Sequence, residues 1–144
     1  MRRTTIGILA VGTLAVAGCG GKQFANNPRP PVPINLSVYI DDARVSVSPG
    51  AVGAGPVVFI VTNQASNAVS MSITRGGSSI ADTGPINPQG TAQVTVNTTP
   101  GDYAVSSAIA GASEAQQVTA HTPRPAVLHI GPPRPSGSNQ LLQP

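Results

Sequence analysis

Reactive side chains are scarce in this chain. Among 144 residues there is one cysteine, Cys19, and there are two histidines, His121 and His129. A thiolate beside an imidazole makes a nucleophile, and two imidazoles with a thiolate make a copper site. The two histidines stand eight apart across "TPRP". In a hairpin around that turn His121 would face a residue near 126, so the pair reads as two unrelated surface imidazoles. They remain weak metal candidates together with Met71, which lies in an apolar, strand-like run and reads as core packing. Asp41-Asp42 sits between two runs, where aspartate bonds its own backbone in a turn. The serine stretches "GGSSI" and "GASEA" do not match the G-x-S-x-G elbow, which also needs a strand-turn-helix. No catalytic residue and no cofactor are expected, and the chain reads as a non-enzyme.

The surroundings of Cys19 explain it differently. The chain opens "MRRTTIGILAVGTLAVAGC", with Arg2 and Arg3 as a basic start and Ile6 to Ala17 as an uncharged apolar run. That is the layout of an export signal, and the run falls short of the roughly 20 apolar residues a membrane-spanning helix needs. Val16, Ala17, Gly18 and Cys19 resemble the lipobox of bacterial lipoproteins. The resemblance implies cleavage between Gly18 and Cys19, acylation of the Cys19 thiol (diacylglyceryl, with palmitate-type chains), and a protein whose partner is a membrane. Small residues at 17 and 18 suit an extended backbone entering a narrow peptidase site. The expected location is the extracytoplasmic face of the cell membrane, or the outer membrane where the organism has one.

Removing residues 1–18 also changes the charge. The full chain has eight Lys plus Arg against five Asp plus Glu, and Arg2 and Arg3 leave with the signal. The remaining near-neutral balance is no nucleic-acid footprint. With Cys19 the only cysteine, a disulfide framework and a thiolate cluster are both excluded.

These residues must be positioned by something that folds. Residues 19–33, with "KQFANNPRPPVP", read as a lipidated cysteine and a proline-rich tether, and 132–144 as a proline-rich tail; neither has enough apolar surface to offset the entropy of ordering. Residues 34–131 alternate with period two: Ile34, Leu36, Val38 and Ile40; Val45 and Val47; Val69, Met71 and Ile73; Ala92, Val94 and Val96. One apolar face per strand follows. "PVVFIVT" at 56–62 is a continuous run, expected of a central strand covered on both sides. "DDA", "SPGAVGAG", "RGG", "NPQG", "TPGD" and "TPRP" read as turns. The short strands so spaced, seven to nine of them, predict an all-β fold, a single Greek-key β-sandwich.

"VSVSPGAVGAGPVVFIVTNQASNAVSMSI" with "INPQGTAQVTVNTTPGDYAVSS" is similar to cupredoxin-like domains of exported bacterial proteins, a pattern that immunoglobulin-like sandwiches largely share. Tyr103, after Pro100-Gly101-Asp102, stands where a tyrosine corner would. The family's copper ligands do not carry over. "NQASNAVSM" has no histidine, Ser106-Ser107 stands where the cysteine is expected, and "AIAGASEAQQ" supplies neither histidine nor methionine. The chain therefore reads as a lipid-anchored, non-catalytic binding or structural module. It is expected to be monomeric, to bind no nucleic acid, and to meet an envelope protein as partner. The alternative is a degenerate cupredoxin binding copper or another metal weakly, or an accessory subunit of a transporter.

Overall fold

The computed structural model describes residues 30–113 and 122–136. Among them are eight strands and no helix: β1 (Ile34–Ile40), β2 (Val45–Ser48), β3 (Ala51–Asn63), β4 (Val69–Arg75), β5 (Ser78–Ile86), β6 (Thr91–Thr98), β7 (Gly101–Ile109) and β8 (Ala126–Pro133). The all-β sandwich expected from period two is the fold.

Two sheets face each other. In the first, β1 lies between β2 and the second half of β3, and β6 closes the other side of β3. In the second, the first residues of β3 pair with β8, followed by β7, β4 and β5. The hairpin β4-β5 lies beside β7, and β6 between them in sequence belongs to the opposite sheet; these are crossings of the Greek-key kind.

Alternation does the packing. Leu36, Val38 and Ile40 of β1, Val57, Phe59 and Val61 of β3, and Met71 and Ile73 of β4 are all fully buried, with Val105 and Leu128 beside them. With one phenylalanine and one methionine among aliphatic residues, this is a small core of short side chains.

Three local expectations are corrected. "SPGAVGAG" is not one long turn: only Pro49 and Gly50, after a cis Ser48-Pro49 bond, lie between β2 and β3, and Ala51–Gly55 are strand. The glycines serve a change of sheet. The register with β8 slips between Gly53 and Ala54, Gly55 takes a φ of 132°, and from there β3 pairs with β6. Secondly, "PVVFIVT" is central among hydrogen-bonded neighbours but covered on one face only, since Ile60 is 38% exposed. A two-layer sandwich leaves each sheet an outer face, and β-branched residues are tolerated there. Thirdly, the fold runs past 131. Pro132 and Pro133 end β8, and Arg134 donates its N–H to Ala54 O at 3.0 Å. Prolines end an edge pairing without needing a donor, which is why they were legible as tail.

The strand registers divide the sandwich into two ends. One end carries the start of β1, the sheet change at Gly55, the turns at Gly76-Gly77 and Thr99-Pro100, and the exit of β8. The other carries the loops at 41–44, 64–68 and 87–90, the end of β7, and the approach to β8.

Candidate functional site

The loop end is where the polar side chains converge. Continuing the inward alternation Val57, Phe59, Val61 one step further gives Asn63, which is completely buried. Its amide donates to Asn67 O (2.8 Å) and Ile86 O (2.9 Å), and its Oδ1 accepts from Ala65 N–H at 2.8 Å. Its backbone exchanges bonds with Gly90 O and Gln89 N–H. One residue thus ties the β3-β4 and β5-β6 connections together, because a buried amide is tolerated only when each polar atom is bonded.

Two aspartates finish this end. Asp41 Oδ1 accepts from the N–H groups of Ala43 and Arg44, both at 2.8 Å, the turn expected from sequence. Asp42 accepts from Ser66 N–H at 3.0 Å and from Ser66 Oγ at 2.6 Å. These bonds, the hydroxyl first, hold its carboxyl below the usual carboxylate range. Beside them Thr122–Pro125 lies along the 41–45 loop: Arg124 N–H donates to Ala43 O and Val45 N–H to Arg124 O. An open groove of about 420 Å³ lies there, lined by Ala43, Thr122, Pro123, Arg124 and Pro125.

The structure separates the residues singled out in the sequence. Met71 is fully buried in the core. His129 lies on the outer face of β8, directly opposite Asp102 of β7, and its Nδ1 is 2.6 Å from Asp102 Oδ1 with both side chains largely exposed. Met71 and His129 thus occupy opposite faces of one sheet and share no site. His121, Cys19 and the lipobox residues Val16, Ala17 and Gly18 lie outside the described residues. Among the described residues, no three His, Cys, Asp or Glu side chains gather as a metal group would.

Ser106 and Ser107 have different fates. Ser106 Oγ is 2.9 Å from Ser72 Oγ on the outer face, whereas Ser107 points inward opposite Met71, its buried Oγ without a hydrogen-bond partner among the described residues. Tyr103 forms the corner its position suggested: its hydroxyl donates to Thr99 O at 3.1 Å and accepts from Thr99 N–H at 3.0 Å. Arg75 lies 5.5 Å from the ring centre and donates to Thr99 Oγ1 and Pro100 O. Burial pushes the phenol up, but the Thr99 bonds and the Arg75 charge outweigh it and bring its pKa below the ordinary value. A second open groove, of about 300 Å³, runs past Thr74, Gly76, Asp102, Tyr103 and Val127.

Sequence reasoning missed Asn63, the Asp102 partner of His129, and Arg134. Period-two counting was the signal for the first. Nothing local signalled the other two, because their partners are distant in sequence.

No family model matches the chain, and no curated protein matches it. Among solved structures, reduced auracyanin from Roseiflexus castenholzii aligns over 69% of this chain and 97% of its own, with 15% identity and a TM-score of 0.49. Auracyanin A of Chloroflexus aurantiacus, a blue copper protein, aligns over 69% and 100%, with 13% identity and a TM-score of 0.49. The copper nitrite reductase of Thermus scotoductus aligns over 70% of this chain and 28% of its own, with 14% identity and a TM-score of 0.48.

Proposed function

We propose that the chain is an extracytoplasmic lipoprotein. Cys19 carries the acyl chains, the proline-rich segment is a tether, and the cupredoxin-like sandwich is a non-catalytic binding or structural module. The observation that carries this reading is "VAGC" at 16–19 behind a basic start and a short apolar run. Two or more acyl chains give durable anchoring where one gives marginal binding, which suits a resident of the membrane surface. The loop end supports a display role, since Asn63, Asp41 and Asp42 all spend their polar atoms on holding loops in place. Its partner is an envelope protein rather than nucleic acid, and the module acts as a monomer.

Blocking the lipoprotein signal peptidase with globomycin, or substituting Cys19→Ala, is expected to leave unprocessed or unanchored protein. A correctly cleaved, fully membrane-bound Cys19→Ala product would overturn the reading.

The alternative is weak metal binding. It is favoured by His129, whose Nδ1 is held by Asp102 in the manner of a ligand imidazole oriented by a carboxylate. Titration of the mature chain with Cu(II) and Cu(I), beside the variant with both His121 and His129 changed to alanine, separates the readings. Equal binding by the two proteins removes the metal reading.

A further inference from the structure

Arg134 is the most connected side chain at the end opposite the loops. Its Nε donates to Gly53 O at 3.1 Å and to Ala54 O at 3.3 Å, Nη1 to Val32 O at 2.6 Å, and Nη2 to Pro56 O at 2.6 Å. A planar guanidinium with five donors suits such a cluster of carbonyls, as a lysine ammonium does not. The main chain is shaped to admit it. A Cβ on Gly53 would stand 2.6 Å from Arg134 Cγ, and one on Gly55 would stand 3.0 Å from Nη2 and 2.8 Å from Pro31 Cγ.

Three segments far apart in sequence meet at this one group: the residues just before β1, the sheet change in β3, and the chain leaving β8. Val32 is 102 positions from Arg134. The contact fixes the chain at Val32, two residues before the first strand, and it does so at the end of the sandwich where the chain also exits.

We propose that Arg134 is a clasp that fastens the root of the tether to this end of the sandwich and thereby sets the orientation of an anchored domain. The end with Arg134, Gly76-Gly77 and Thr99-Pro100 faces the membrane. The end with Asp41–Arg44, the 64–68 loop and Thr122–Pro125 is presented outward. This rests on the lipid-anchor reading. With the clasp the tether departs from a fixed point at this end; without it the residues before Ile34 are free to leave the sandwich in other directions, and that bias on the domain is lost.

The test uses the full, processed lipoprotein in vesicles of phosphatidylethanolamine and phosphatidylglycerol doped with a headgroup-spin-labelled lipid. A fluorophore is placed on Gln64→Cys at the loop end or on Ser78→Cys at the clasp end, both exposed positions. Quenching is expected to be severalfold stronger at 78 than at 64, and Arg134→Ala is expected to bring the two towards equality. Equal quenching at the two positions in the protein that retains Arg134 overturns the proposal, whether or not the Arg134 variant folds. So does an unchanged difference in a folded Arg134→Ala protein. Failure of both labelled proteins to float with vesicles, or flotation of Cys19→Ala, indicts the anchor instead.

Discussion

Asn63 and Ser107 are both inward-facing polar residues on alternating strands, and they carry opposite consequences. Asn63 has each amide atom bonded to a loop backbone group. Truncation as Asn63→Ala removes the side-chain bonds to the carbonyls of Asn67 and Ile86 and to the N–H of Ala65, and is expected to cost about 2–4 kcal/mol. Ser107 brings a hydroxyl into the core with no bond among the described residues to offset its desolvation. Ser107→Ala is therefore expected to be neutral or to stabilise by up to about 1 kcal/mol. Urea melts of the two variants beside the parent check both, and a Ser107→Ala protein as damaged as Asn63→Ala would show a hidden partner for that hydroxyl. Asp42 adds a pH dependence. Its carboxyl is held below the ordinary value by Ser66, so the folded state binds its proton less readily than the unfolded chain. Its contribution is present above the ordinary carboxylate range near pH 4 and is lost as pH falls through the lowered folded value. Thermal melts of the parent and Asp42→Asn should differ at pH 7 and converge at the acid end; a constant gap would exclude this linkage. The carboxylate is exposed, so the gap is small.

At the scale of the element, β3 shows what sequence patterning can and cannot carry. Phe59 and its inward neighbours were legible because alternation is local: successive side chains point to opposite faces whatever the sheet around them. The division of β3 between two sheets was not. Gly53 and Gly55 read as turn residues, and they do mark a break, but one of sheet membership and not of strand. At Gly55 the φ of 132° lies where L side chains rarely go, and the space for a Cβ is filled by Pro31 and Arg134. Gly55→Ala is expected to destabilise by about 2 kcal/mol or more, combining backbone strain with overpacking. An exposed turn glycine, Gly76, has open space where its Cβ would sit and bears only the backbone penalty. Gly76→Ala should accordingly be milder in the same denaturation assay, and the reverse order would refute this account of the sheet change. β5 went unread for a different reason. Its first three residues are exposed and its pairing with β4 is interrupted twice, so no apolar alternation survives to be seen.

For the molecule as a whole, the core, the tyrosine corner and the Asp41 turn were all legible, since each depends on residues within a few positions of one another. Tyr103 needs only Thr99, four positions earlier. What the sequence could not disclose is what joins distant segments. Asp102 and His129 meet because β7 and β8 pair in one register of several that apolar spacing would allow. Arg134 reads as one more residue of a proline-rich tail until β8 carries it to the carbonyls of Val32, Gly53 and Pro56. The faces of strands and the turn at Asp41 are written locally, and the sequence by itself determined them. Which strands share a sheet, and which end of the sandwich holds both Val32 and Arg134, depends on contacts across many tens of residues, and only the tertiary structure decided them.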